Sequence, residues 1–72
     1  MVTPEELQER IEASIPDARA EVSGDGRHFE ARVMSPVFAG KPRLAQHRMV
    51  YDVFGSEVGD RIHALSISTR SE

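Results

Sequence analysis

The sequence predicts an α+β domain, a three-stranded mixed sheet with its helices packed on one face. Three observations lead there. Apolar residues recur at helical spacing near the N-terminus and again after residue 41. They alternate with a period of two in three other stretches, and the stretches run helix, strand, strand, helix, strand. Two amphipathic helices and three half-apolar strands close most economically when both helices cover the same sheet face. Length agrees, because 72 residues make one domain over 1–72 with a thin core.

The first helix opens at Thr3-Pro4-Glu5-Glu6, with Thr3 as N-cap, Pro4 at the first helical position and Glu6 three residues on, as a capping box requires. Val2 and Leu7 stand where a hydrophobic staple places them. Leu7, Ile11 and Ile15 mark the buried face, and Glu5, Glu9, Arg10 and Glu12 are assigned to solvent. Pro16-Asp17 ends the helix, since a proline ring excludes the helical conformation from the residue before it. Residues 18–23 set Ala18, Ala20 and Val22 against Arg19, Glu21 and Ser23, a half-buried strand. Gly24-Asp25-Gly26 supplies turn chemistry, and residues 29–34 alternate again, with Phe29, Ala31 and Val33 on one side. The two strands therefore form a hairpin.

Residues 35–40 contain Pro36 and Gly40 and read as irregular or as a short helical turn, giving the order αββ(α)αβ. A second helix runs from 41 or 42 to 54, with Gly55 placed to cap it. Its expected buried stripe is Leu44, Tyr51 and Phe54, widened by Val50 and Val53. After a polar link over 56–60, residues 61–69 alternate as a third strand. A crossover through a helix suits parallel pairing, and the strand it joins is left open.

Composition excludes several function classes. The chain has no cysteine, so it forms no disulfide and offers neither a thiol nucleophile nor a thiolate metal site of its own. Any metal chemistry uses histidine, carboxylate or a partner's sulfur. The first ten residues are polar and acidic and contain neither a signal-peptide core nor a membrane span, so a cytoplasmic address is expected. A net charge of −3 argues against coating nucleic acid by bulk electrostatics. The charge is unevenly spread, however. Residues 31–50 carry Arg32, Lys41, Arg43 and Arg48 with no acid, so one local basic face is expected on an acidic domain. None of the serines stands in an activating motif and the carboxylates show no acid/base spacing, so no enzyme is expected.

The three histidines are the soft ligands of the chain. His47 falls on the apolar stripe of the second helix and reads as a packed structural residue. His63 alternates with Leu65 and Ile67 near the start of the third strand, and residue type alone favours a structural role there too. His28, beside the hairpin turn, reads as an exposed strand residue.

A resemblance changes that weighting. The stretch Val33-Met34-Ser35-Pro36-Val37-Phe38-Ala39-Gly40-Lys41-Pro42, then Leu44-Ala45-Gln46-His47-Arg48-Met49-Val50-Tyr51 and Arg61-Ile62-His63-Ala64-Leu65-Ser66-Ile67, resembles the BolA family. The likeness covers residues 5–69 and, with its short hairpin, is closest to the compact bacterial branch. It implies a fold related to the type II KH domain. It also implies a monothiol glutaredoxin as partner and a shared 2Fe-2S cluster, with the glutaredoxin and glutathione supplying sulfur. In the family the histidine of the third strand is a cluster ligand, and His63 matches it by position. The second ligand in the family comes from the first hairpin loop. Where some members have a cysteine there, this chain has Asp25, and His28 is the nearest soft donor. The reading is an adaptor in iron–sulfur trafficking or iron sensing.

The alternative is a nucleic-acid-binding transcriptional regulator, with Lys41, Arg43 and Arg48 touching phosphates. A KH domain clamps the backbone with a Gly-x-x-Gly loop, and Gly40-Lys41-Pro42-Arg43 lacks the second glycine. A purely structural interaction module is the third class.

Overall fold

Residues 2–71 are described by a computed structural model. Thr3 opens helix α1 (Pro4–Ser14), its hydroxyl accepting from the Glu6 amide at 3.2 Å. The reciprocal half of the capping box is not made. The Glu6 carboxylate instead accepts from the Arg61 guanidinium at 3.2 Å, because a charged partner competes with a backbone amide for it. Val2, Leu7, Ile11 and Ile15 are all buried, so the staple and the apolar face form as expected. Arg10 corrects the solvent-side assignment, being half-buried, whereas Glu12 is exposed as expected. Arg10 turns toward the second helix, and Glu12 accepts a hydrogen bond from the Ala20 amide at 3.0 Å, occupying a free donor on the sheet edge.

Strands β1 (Arg19–Gly24) and β2 (His28–Met34) pair antiparallel, with Ala20 opposite Val33 and Gly24 opposite Phe29. Gly24 is required by close approach, since a Cβ there would lie 2.5 Å from the His28 carbonyl oxygen and 2.7 Å from Phe29 Cδ1. Strand β3 (Ala64–Arg70) joins β2 in parallel and gives the order β1-β2-β3. The register places Phe29 beside Leu65 and Ala31 beside Ile67, so Ala20, Phe29, Ala31, Val33 and Leu65 form one apolar face. The alternate residues, among them Arg19, Glu21, Glu30, Arg32, Ser68 and Arg70, leave the other face exposed.

After β2 a 3₁₀ turn, Pro36–Phe38, carries the fully buried Phe38 into the core. Ser35, also buried, is satisfied: its hydroxyl donates to the Pro16 carbonyl at 2.6 Å and accepts from the Val37 amide at 3.3 Å. Helix α2 (Arg43–Phe54) follows and ends at Gly55, whose φ of 58° is left-handed. Its orientation keeps Phe54, Val50 and Val53 of the expected stripe in the core and turns Leu44 and Tyr51 outward. Val50 and Phe54 are buried, with Met49 and Val53 packed beside them, while Leu44 is 72% and Tyr51 37% exposed. Gln46 helps to set this rotation, donating to the carbonyls of Phe38 and Lys41 and accepting from Thr69 Oγ1 at 2.6 Å. The Tyr51 hydroxyl, at the rim of the helix, donates to the Leu65 carbonyl at 2.9 Å. His47 is half-buried without a hydrogen-bond partner among the described residues. A second 3₁₀ turn, Gly55–Glu57, begins the link to β3, which starts three residues later than the expected 61 because Arg61–His63 belong to the link.

Candidate functional site

The site grows out of the hairpin. Asp25 Oδ1 accepts from the amides of Arg27 and His28, each at 2.9 Å, which closes the turn and starts β2 at His28. Those two amides hold the Asp25 carboxyl below its ordinary range, since they stabilise the anion. The parallel register sets His28 beside Ala64, and the Ala64 amide donates to the Arg27 carbonyl at 3.0 Å. His63, one residue earlier, thereby arrives next to His28. The two imidazoles meet edge to face, centroids 5.3 Å apart and planes at 74°.

Both rings are open to solvent, the His28 side chain 65% exposed. Asp25 Oδ2 lies 3.9 Å from His28 Nδ1, beyond hydrogen-bond distance. Among the described residues no group of three or more histidines and carboxylates is placed to hold a metal. Two adjacent nitrogen donors without thiolate suit an iron site whose remaining ligands come from another molecule. The donor set is therefore compatible with half of a shared centre.

His63 is held by the link that precedes it. Ile62 is fully buried, its amide donates to the Glu57 carbonyl at 2.9 Å, and its carbonyl accepts from the Gly59 amide at 2.6 Å. The Glu57 carboxylate is gripped by Arg10 at 2.7 and 2.6 Å and by Arg61 at 2.8 Å, and these guanidiniums, Arg10 foremost, push its pKa down to about 2. Residue-level reading of the sequence missed Arg10 and Glu57. Their separation of 47 positions leaves no local signal.

Lys41, Arg43 and Arg48, the nucleic-acid candidates, are all exposed, Lys41 just before α2, Arg43 at its start and Arg48 in its middle. They stand outside the ion pairs formed among the described residues. The exposed Leu44 lies among them, so this surface is mixed rather than purely basic.

The fold defines a class: small α+β domains with a three-stranded mixed sheet and two helices. Within that class, the family pattern described as BolA-like protein matches residues 4–72, and the chain belongs to that family. A BolA homologue from Coxiella burnetii has a TM-score of 0.86 at 42% identity, covering 97% of this chain and 91% of that one. The Arabidopsis thaliana protein named SufE-like protein 1, chloroplastic/mitochondrial is 37% identical over 54 residues, and the matched part is 74% of this chain but 15% of that protein. The Escherichia coli protein named DNA-binding transcriptional regulator BolA is 28% identical over 79 residues, 96% of this chain and 75% of that protein.

Proposed function

We propose that this chain is an iron–sulfur adaptor that pairs with a monothiol glutaredoxin and shares a 2Fe-2S cluster with it. His63 ligates iron, His28 beside it is the second nitrogen donor, and the glutaredoxin with glutathione supplies thiolate. The observation that carries the reading is the 5.3 Å approach of two solvent-facing imidazoles in a chain without cysteine. Imidazole in place of thiolate leaves a cluster less negative and raises its potential. It also makes the cluster acid-labile, because a histidine must be neutral to bind and releases its metal when protonated. Both properties suit transfer rather than storage.

The test mixes the chain with a monothiol glutaredoxin, iron, sulfide and glutathione and follows absorption and visible circular dichroism. His63→Ala is expected to lose or destabilise the mixed cluster. Identical spectra and lifetimes for His63→Ala and wild type contradict the proposal.

A second reading, DNA binding through Lys41, Arg43 and Arg48, is favoured by their exposure and by the name of the Escherichia coli relative. Three phosphate contacts give a slope of about −3 in log affinity against log salt. Labelled duplex titrated at two salt concentrations is expected to show no such micromolar binding, and a salt-sensitive isotherm abolished by Arg43→Gln would establish the alternative.

A further inference from the structure

Arg10 lies far from His63 in sequence and Glu57 lies in the link just before it, and an unbroken run of contacts ties both to His63. The Arg10 guanidinium stacks over the Phe54 ring, 5.0 Å from its centroid. It also donates to the Val53 carbonyl at 3.2 Å and to both carboxylate oxygens of Glu57. This one side chain of α1 therefore fastens the last turn of α2 and the start of the link. Glu57 is held from both ends. Its carboxylate is bound by Arg10 and Arg61, and its carbonyl accepts from the Asp60 and Ile62 amides at 3.0 and 2.9 Å. Ile62 is the buried residue directly before His63.

Exposed ion pairs in general stabilise folds little. This one differs in geometry: it is bidentate, its partners are only 33% and 26% exposed, and a second arginine shares it. Elsewhere the link to β3 is secured by backbone turns, by the Arg61–Glu6 ion pair and by two apolar side chains, Ile62 and Val58. The clamp is thus the polar feature that fixes where the link leaves α2 and enters the sheet.

We infer that Arg10 and Glu57 are positioning residues for His63, holding the Glu57-to-Ile62 link so that the His63 imidazole stays within chelating distance of His28. The inference rests on the reading of His63 as a ligand and adds a device that sets metal affinity from outside the imidazole pair. Supporting residues of this kind commonly change metal affinity by about 10- to 100-fold.

The probe is Ni²⁺ alone, titrated calorimetrically into the free domain. Wild type is expected to bind one ion through the histidine pair. Glu57→Gln, folded by far-ultraviolet circular dichroism, is expected to bind about tenfold more weakly. Arg10→Lys, which keeps the charge but loses the fork, is expected to fall between wild type and Arg10→Ala. Ser35→Ala removes the buried hydroxyl that bonds Pro16 beyond the opposite end of β2 from His28, lowers stability and is expected to leave Ni²⁺ affinity unchanged. Wild-type affinity in folded Glu57→Gln overturns the inference, and so does an equal loss in Ser35→Ala, which would reduce the effect to stability. Should Glu57→Gln fail to fold, Arg10→Lys decides the matter in the same way. Unaltered Ni²⁺ binding by His63→Ala instead overturns the ligand reading itself, so the two failures are distinguishable.

Discussion

At the scale of single residues, Glu57 shows how differently a carboxylate behaves once two guanidiniums surround it. Its folded pKa of about 2 lies below the ordinary glutamate value, so the folded state holds the ionised form more tightly than the unfolded chain does. The stability this provides is complete above the unfolded pKa and is lost as pH falls from about 4.3 toward 2. Thermal melts of wild type and Glu57→Gln from pH 6 to pH 2 are expected to converge across that window. A melting difference that stays constant down to pH 2 would contradict the clamp. His63 was legible by its likeness to the family motif, and His28 by residue type. That the two touch was not legible, because it depends on β3 lying parallel beside β2 with His28 opposite Ala64. Periodicity carries no register between strands separated by a helix.

Among the elements, α1 and the hairpin were readable in detail because their signals are local. A cap, a proline and a spacing of four specify α1, and Asp25 specifies the turn through two amides within three residues. Helix α2 was readable in extent but not in rotation. Leu44 and Tyr51 share one face at seven residues, whereas Val50 and Phe54 share another about 100° around the helix. Two competing apolar faces leave the choice to packing, and Gln46 and Val50 make it. The consequence is measurable by urea denaturation. Val50→Ala should cost about 2 kcal/mol for two buried methyl groups and the space they leave. Leu44→Ser, at 72% exposure, should change stability by less than about 0.5 kcal/mol. Equal losses would mean that Leu44 faces the core together with Val50, as the full expected stripe requires. Strand β3 starts late for a similar reason: Arg61 and Ile62 alternate as a strand would, but hydrogen bonds to the Glu57 carbonyl and Gly59 amide draw Ile62 into the link.

The molecule as a whole divides its surfaces by chemistry. One sheet face is consumed by the helices, the other is polar, and the histidine pair sits at one sheet end. The basic residues of α2 form a separate surface broken by Leu44. The layered α+β order was legible throughout, since it needs only periodicity and the economy of burying two helices on one sheet. Among the described residues no helix is long and apolar enough to cross a membrane. The absence of cysteine gains its meaning at this scale, because a domain with two adjacent imidazoles and no thiolate can hold an iron–sulfur centre only jointly. The most direct test is pulsed electron paramagnetic resonance on the reduced mixed cluster, formed with a monothiol glutaredoxin and this chain labelled with ¹⁵N in its histidines. Hyperfine coupling to imidazole nitrogen that disappears in His63→Ala is the predicted result. A cluster with no histidine nitrogen coupling in the wild-type complex would contradict the account.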